Sequence, residues 1–318
     1  RRRVRHTAAF PGGCRLPHVS ALHRLPSLAL VITLVLVAPA AAQEPAAPPA
    51  APAFTVLLTN DDGFEAPGLQ ALVKAFAGVG DIYVSAPGVN QSGAGHSVTL
   101  TDAVVITDRA LEGVVKAVSV DGSPATAARV GLERTVPRLP DLVVSGINRG
   151  ENLGMSVYLS GTLGAAREAA FAGVPAIAVS IMGNRPETYA AAATATRALV
   201  DELRARQLLK PGLFVNVNVP AGPVKGTKLA RLSLRASRVE HQCSPPIRER
   251  VACFPVFRQT LKDEPGTDIG EFYQGFITVT PMVLDATDTA AMAAMTFVEA
   301  ANSAGSPPRP APRGRGAA

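Results

Sequence analysis

The sequence has few of the residues that build thiolate or imidazole metal sites. Its 318 residues include three Cys, five His and no Trp. Cys243 and Cys253 lie in one polar loop, with neither CxxC spacing nor the histidine spacing of a zinc site. This pattern argues against zinc, and it leaves these two cysteines as either a disulfide or two unpaired thiols.

The motifs of several enzyme classes are absent as well. The chain contains no GxxxxGK[ST] phosphate loop, no GxGxxG after a strand and no GxSxG elbow. These absences exclude the usual nucleoside triphosphate loop, dinucleotide site and serine-hydrolase elbow. The "NDDG" at 60–63 also lacks Asp-x-Asp spacing, which disfavours a covalent aspartyl mechanism.

Positive charge is scarce outside the N-terminal segment, although the formal net charge is +6. Six of the 31 Lys and Arg residues precede Glu44 with no acid among them, so the remaining 25 balance the 25 Asp and Glu residues. A balanced body lacks the basic surface that a polyanion requires. We therefore expect no nucleic-acid polymer as a partner.

Residues 1–42 have the pattern of an export signal. A basic stretch precedes the apolar run 28–38, and small residues follow up to Ala42, where we expect cleavage. An uncleaved anchor is the alternative, but the run is far shorter than the roughly 20 residues that span a bilayer. We therefore predict an exported, periplasmic protein without a stable membrane anchor, in which a Cys243–Cys253 disulfide is compatible with the oxidising compartment.

The body of the chain alternates between strand-like and helix-like segments, which predicts an α/β fold with a mostly parallel sheet covered on both faces. The predicted strands are 54–60, 81–87, 116–122, 141–148, 174–180 and 213–220, and the predicted helices are 67–78, 124–135, 162–173 and 188–207. The predicted organisation is a Pro/Ala linker at 43–53, a catalytic core at 54–218, a C-terminal extension at 219–301 with a final helix at 286–301, and a disordered tail at 302–318.

Four sets of polar residues stand at notable positions: three lie at the ends of predicted strands, and the fourth opens the predicted helix at 162–173. Ligands of an open α/β sheet bind at the carboxyl ends of its strands, so these positions carry functional weight. Asp61 and Asp62 are adjacent and repel each other unless a cation lies between them. Oxygen-only groups suit Mg²⁺ or Mn²⁺, and the "SGT" at 160–162 is typical of an anion site at a helix N-terminus. His96 could act as a general acid or base, although a packed or solvated role is the more common one.

Several ordered segments carry a family resemblance. They are "LLTNDDGFEAPGLQAL", "APGVNQSGAGHSVTL", "VVSGINRGENLG", "SGTLGAAREAAFAGVPAIAVS" and, near the end, "TD" followed by "GFITVTP". In this order they resemble SurE, the family of stationary-phase survival proteins, over most of residues 54–300.

The resemblance implies a Rossmann-like, three-layer enzyme that removes phosphate from nucleoside 5′- and 3′-monophosphates with one divalent cation per subunit. It also implies a homodimer or homotetramer assembled through the C-terminal extension, and a cytoplasmic location from which the export signal departs. The metal ligands it implies are Asp61, Asp62, Ser92 and Asn148.

In the expected mechanism the cation activates a water for in-line attack on phosphorus, and Asp61 or Asp62 accepts the proton. The residues expected to hold phosphate or substrate are Asn60, Asn90, Asn148, Ser160, Gly161 and Thr162. The alternatives are an exported nucleotide- or metal-binding protein without turnover, and a broad acid phosphatase or exopolyphosphatase.

The chain departs from the family pattern at a few positions. Gln91 stands where an arginine usually precedes the metal-binding serine, and Met155 and Ser156 stand where acids usually follow "NLG". The tyrosine that normally precedes "SGT" lies one position earlier, at Tyr158, with Leu159 in its place. The change at Gln91 puts substrate affinity in question, because it removes a cation near the phosphate.

Overall fold

The computed structural model describes residues 53–235, 238–258 and 261–298. The predicted export signal, the tail at 302–318 and nearly all of the linker at 43–53 lie outside these residues. Within them, no helix combines the length and the apolarity needed to cross a membrane.

The described residues form eleven strands and six α-helices. The strands are β1 Thr55–Thr59, β2 Asp81–Pro87, β3 Ile106–Arg109, β4 Lys116–Val120, β5 Leu142–Arg149, β6 Ala176–Ile181, β7 Phe214–Val219, β8 Thr227–Leu229, β9 Arg238–Cys243, β10 Cys253–Arg258 and β11 Ile277–Met282. The helices are α1 Pro67–Phe76, α2 Pro124–Val130, α3 Gly161–Phe171, α4 Pro186–Ala205, α5 Asp268–Phe272 and α6 Thr289–Ala294. A π-helical turn, Gly131–Thr135, continues α2, and a 3-10 helix, Gly154–Tyr158, precedes α3.

A nine-stranded sheet forms the centre of the molecule, in the order β3-β4-β2-β1-β5-β6-β7-β11-β8. The six strands from β4 to β7 are parallel to their neighbours, whereas β3 and β11 run antiparallel to β4 and β7. The chain builds outward from β1 to β2 and β4, then returns to β5 on the other side of β1. The strand order therefore reverses between β1 and β5, where ligands of such sheets bind.

Helices cover both faces of the sheet, which confirms the predicted α/β class with its mostly parallel sheet. Helices α1 and α4 pack on the face formed by Val56, Leu58, Val144 and Ile177. Helices α2 and α3 cover the opposite face, where Leu57, Val143 and Ala176 point. The central strands are buried on both faces, which explains their nearly unbroken apolar sequences.

The helix starts follow from local chemistry. Pro67 and Pro124 occupy first-turn positions, where a missing N–H breaks no helical hydrogen bond. Ser123 and Ser160 cap α2 and α3 by accepting from Thr126 N and Leu163 N. These caps bring the N-termini of both helices to the carboxyl edge of the sheet.

The C-terminal stretch contributes to the central sheet. β11 pairs with β7 and β8 pairs with β11, so two strands from the predicted extension lie in the same sheet as the predicted core. Strand β3, which the sequence did not reveal, has four exposed residues, because it lies at the sheet edge. Helix α6 ends at Ala294, within the predicted 286–301, and residues 299–301 of that prediction lie outside the described residues; none of the α6 residues is buried.

Strands β9 and β10 form a separate two-stranded sheet. Cys243 lies opposite Cys253 at the distal end of this hairpin, and a disulfide joins them. The bond closes the tip loop at 244–252. The hairpin is therefore linked covalently across its two strands.

Candidate active site

The acidic pair lies in a tight turn directly after β1. Both ends of the Asn60 amide are engaged in this turn, because Nδ2 donates to Gly63 O at 2.8 Å and Oδ1 accepts from Gly63 N at 3.3 Å. Asn60, which the sequence analysis expects to bind substrate, thus shapes the loop that presents Asp61 and Asp62. Its contact with phosphate stays a prediction.

Asp61 is buried, with 3% of its surface exposed. Its Oδ1 accepts a hydrogen bond of 2.7 Å from the Thr162 hydroxyl at the start of α3. Burial raises the pKa of Asp61 to about 6; the Thr162 hydrogen bond opposes the rise, and the adjacent Asp62 adds to it. The ionised form of Asp61 is therefore under-stabilised by the protein alone.

Asp62 is held from two sides. Its Oδ1 accepts from Asn90 Nδ2 at 3.1 Å, and its Oδ2 accepts from the backbone N–H of Arg149 at 2.8 Å. Burial raises the pKa of Asp62, while the hydrogen bond and charge of Arg149 oppose the rise. The loop after β2 and the end of β5 thus converge on one carboxylate.

The loop at 88–97 places Ser92 beside the pair. Gln91 N donates to Asp61 O at 2.8 Å, and Ser92 N donates to Asn90 Oδ1 at 3.0 Å. Both hydrogen-bonding groups of Asn90 are therefore used within the site. Ser92 itself is exposed, so its hydroxyl faces solvent next to the acidic turn.

Asn148 lies near the end of β5, across the strand-order reversal from Asp61. It is 7% exposed, and its Nδ2 donates to Gly150 O at 2.5 Å. This bond uses one of the two amide N–H groups, and the oxygen Oδ1 makes no hydrogen bond to any described residue. Asn148 can therefore offer an acceptor oxygen to a cation and one N–H to a phosphate.

The N-terminus of α3 closes the site. A Cβ on Gly161 would lie 2.8 Å from Asp61 Cβ, so only glycine lets the helix approach the acid this closely. The Ser160 oxygen accepts from Leu163 N at 3.1 Å, which leaves its hydroxyl proton available to a ligand. Both the hydroxyl and the backbone N–H of Thr162 donate to the Asp61 carboxylate, so Thr162 orients this acid, and its contact with phosphate stays a prediction.

His96 points away from the acidic pair. Its Nε2 lies 2.5 Å from Glu168 Oε1 on α3, and its ring stacks on Phe171 with centroids 5.5 Å apart. Arg129 also donates to Glu168, which is buried. Burial acts to raise the pKa of Glu168, but its hydrogen bonds to His96 and Arg129 dominate and lower it. The packed role, one of the two that the sequence left open, fits this geometry.

The residues present fit a divalent cation. Two adjacent carboxylates, both with a raised pKa, need a positive partner to ionise together. The available donors are oxygens of Asp61, Asp62, Asn148 and Ser92, the set that Mg²⁺ or Mn²⁺ takes. No cluster of three or more His, Cys, Asp or Glu side chains suited to a metal occurs among the described residues.

The structure adds residues that sequence reasoning missed. The backbone N–H of Arg149 donates to Asp62. Tyr189 on α4 lies close enough for the charges of Asp62 and Arg149 to shift its pKa. Asn152 forms a buried network with Ser180, Asn216 and Asn218. Arg149 stands inside the quoted "SGINRGENLG", so a signal existed, whereas nothing local in the sequence marks Tyr189.

The fold and this arrangement define a Rossmann-like α/β protein with a paired-carboxylate site at its topological switch point. Residues 56–239 match the family described as "Survival protein SurE". The 5′-nucleotidase SurE of Desulforudis audaxviator is 38% identical over 247 residues, which cover 76% of this chain and 95% of that protein. The 5′-nucleotidase SurE of Pseudomonas putida is 37% identical over 239 residues, which cover 73% and 93%.

A solved structure agrees with these sequence matches. The SurE protein from Aquifex aeolicus is 32% identical, with a TM-score of 0.66, and the match covers 77% of this chain and 99% of that one. The chain therefore belongs to the SurE family, which confirms the resemblance found in the sequence.

Proposed function

We propose that the protein is a 5′-nucleotidase that hydrolyses nucleoside monophosphates to nucleoside and phosphate with the help of one divalent cation, Mg²⁺ or Mn²⁺. The relatives named 5′-nucleotidase SurE support the reaction. The observation that carries the proposal is the contact between Asp61 and Thr162, which joins an acidic pair to a helix N-terminus at 2.7 Å. Activity on 3′-monophosphates is part of the same proposal.

Asp61, Asp62, Ser92 and Asn148 would hold the cation, which when bound supplies Lewis-acid polarisation of the phosphoryl group and of the attacking water. Asn90 and Arg149 N–H fix the orientation of Asp62, and Thr162 fixes that of Asp61. The Ser160 hydroxyl and the backbone N–H of Gly161 bind the phosphate oxygens, since the N–H groups of the next three residues already have acceptors. The Asp61 or Asp62 carboxylate accepts the proton of the water.

The test is phosphate release from adenosine monophosphate by the purified protein, with Mn²⁺ and with chelator. Asp61→Asn keeps the volume of the side chain but removes its charge, so we expect a loss of at least about 100-fold in kcat/KM. Asp108→Asn, at an exposed position on edge strand β3, is the matched control and retains activity. Full activity of Asp61→Asn would contradict the proposal. Saturable nucleotide binding without phosphate release would favour the binding-protein alternative.

Assembly and export complete the proposal. The hairpin and α6 expose large apolar side chains, including Ile247, Phe254 and Met292 at 76%, 65% and 63%. Such surfaces support a homodimer or homotetramer formed through the C-terminal stretch. Export depends on the sequence of residues 1–42 alone, and the Cys243–Cys253 disulfide supports an oxidising compartment.

A further inference from the structure

A groove runs between α1 and α4 on the face opposite α3. Its volume is about 750 Å³, within the range of roughly 300–1,000 Å³ that holds small ligands. Gln70 and Ala71 line its α1 wall, and Tyr189 and Ala190 line its α4 wall. Most of the lining surface is apolar, so the groove suits a ligand with a flat, weakly polar body.

The groove begins next to the acidic pair. Glu65 and Pro67, which follow Asp62 in the same loop, form its upper rim together with Asn184 and Pro186. Burial and the nearby charge of Asp62 raise the pKa of Tyr189, and Arg149 opposes this rise. Tyr189 therefore lies within electrostatic range of both residues, and the rim residues Glu65 and Pro67 connect the groove to the loop that carries Asp62.

Tyr189 brings an unused polar group to this groove. The residue is only 4% exposed, and its ring packs in the core cluster beneath α1 and α4. Its hydroxyl makes no hydrogen bond to any described residue. A buried tyrosine usually satisfies its hydroxyl, so the groove places a donor and acceptor where a ligand can use it.

Two free amides add directional chemistry. The side chains of Gln70 and Asn184 make no hydrogen bond within the described residues, and each offers one acceptor and two donor positions. A nucleobase edge and ribose hydroxyls present the complementary groups. A simple phosphate ester lacks a base and a ribose that would contact these side chains, so the nucleoside part of a nucleotide is the part that would use the groove.

We propose that the groove between α1 and α4 binds the nucleoside part of the substrate, with Tyr189, Gln70 and Asn184 as its polar contacts. This inference rests on the proposed nucleotidase function, which places phosphate at the acidic pair. The nucleoside then extends from Asp62 past Tyr189 into the groove. Discrimination between nucleotides and other phosphate esters arises here and not at the phosphate site.

The test fills the groove without touching the phosphate site. Ala190 lines the groove and is exposed, so Ala190→Phe blocks the space with little risk to folding. Ala191 is equally exposed but does not line the groove, so Ala191→Phe is the matched control. Calorimetry would measure the Kd of adenosine monophosphate and of inorganic phosphate for both variants, and kinetics would give kcat/KM for adenosine monophosphate.

We expect Ala190→Phe to weaken adenosine monophosphate binding at least about ten-fold, with phosphate binding unchanged within about two-fold. Tyr189→Phe removes only the hydroxyl and should weaken nucleotide binding about three- to ten-fold. Tyr83→Phe, a similarly buried tyrosine that faces the α3 side of the sheet, should have no such effect.

Two results would overturn the inference. One is unchanged nucleotide affinity in Ala190→Phe, and the other is an equal loss of nucleotide and phosphate affinity. Absence of phosphate release by the wild-type protein would contradict the proposed hydrolysis instead. The calorimetric comparison would then still decide where the nucleoside binds, because it needs no turnover.

Discussion

Asp61 is buried as an acid whose ionised form lacks a positive partner. An unfolded Asp has a pKa near 3.8, and burial raises the pKa in the folded chain to about 6. Below the unfolded pKa both states carry the proton, so the folded state has no penalty there. As the pH rises from about 4 to about 6, the unfolded chain releases the proton first, and the metal-free fold loses up to about 3 kcal/mol.

This loss of stability with rising pH gives a prediction for the protein whose metal has been removed by a chelator. With EDTA present, Asp61→Asn should unfold at a higher temperature than wild type at pH 7.5, and the difference should shrink as the pH falls towards 4. Adding Mn²⁺ should stabilise the wild type and leave the variant unchanged. Thermal unfolding from pH 4.5 to 7.5 measures both effects. If Asp61→Asn in EDTA were less stable than wild type at pH 7.5, this result would contradict the claim that burial of the ionised Asp61 destabilises the metal-free fold.

Arg149 supports a second prediction at the scale of single residues. Its backbone N–H orients Asp62, while its guanidinium is exposed and forms no ion pair with any described residue. We expect the Arg149 side chain to attract the substrate phosphate. It would supply a positive charge near the site, which the neutral Gln91 does not. Arg149→Gln keeps the backbone contact and should raise KM about ten-fold for every phosphate ester, with a smaller change in kcat.

The control is Arg134→Gln, an exposed arginine on the π-helical turn after α2. Steady-state kinetics at low and high salt would compare the two variants. The loss in Arg149→Gln should shrink at high salt, since screening weakens the same attraction in the wild type. Equal KM values for wild type and Arg149→Gln at low salt would remove the proposed role.

Part of the site could be predicted at this scale from residue type and strand position alone. Asp61, Asp62, Ser92 and Asn148 are oxygen groups at or after the ends of strands, and the structure brings the segments that carry them together; their binding of a cation stays a prediction. The hydrogen-bond partner of each polar side chain could not be predicted from the sequence. Asn60 bonds to Gly63 within its own turn, whereas Asn90 bonds to Asp62, so the partner of Asn90 depends on how two loops that are separate in the sequence meet.

At the scale of elements, α3 organises the site at two points. Its first turn contacts Asp61, and its third turn binds the loop of Ser92 through Glu168 and His96. A Cβ on Gly164 would lie 2.3 Å from Gly95 O, so the loop packs directly on the helix. The His96–Glu168 pair therefore holds the loop that carries a proposed metal ligand.

We predict that His96→Ala weakens Mn²⁺ binding about three- to ten-fold through loss of this anchor. Titration calorimetry with Mn²⁺ alone measures the effect without reference to turnover. His241→Ala, which changes the other described histidine on the exposed hairpin, is the control. A loss of kcat with unchanged Mn²⁺ affinity would instead favour a direct catalytic role for His96.

The positions of buried strands were easier to predict from the sequence than the strands with which they pair. Runs such as "TVLLT" and "AIAVSI" are buried on both faces and identify themselves by composition. Strand β3 is short, exposed and charged, so its sequence resembles a loop. Strand β11 lies in the predicted C-terminal extension, where no individual strand is predicted, and its place beside β7 depends on pairing with residues about sixty positions earlier.

At the scale of the whole molecule, the parallel core could be predicted and the hairpin could not. The β9–β10 hairpin pairs only with itself among the described strands, and isolated two-stranded sheets are marginally stable in water. A disulfide that closes a loop of this length contributes about 2–3 kcal/mol. The Cys243–Cys253 bond therefore decides whether the hairpin keeps its shape.

This dependence links redox state to assembly. If the exposed apolar hairpin mediates subunit contact, the Cys243→Ser/Cys253→Ser variant should dissociate at protein concentrations about ten-fold or more above those at which the wild type dissociates. Light scattering after gel filtration over a dilution series measures the shift, and dithiothreitol should reproduce it in the wild type. The central sheet does not include the hairpin, so the melting temperature of the core should change little. An unchanged oligomer in both the variant and the reduced wild type would show that the hairpin fold does not hold the subunits together.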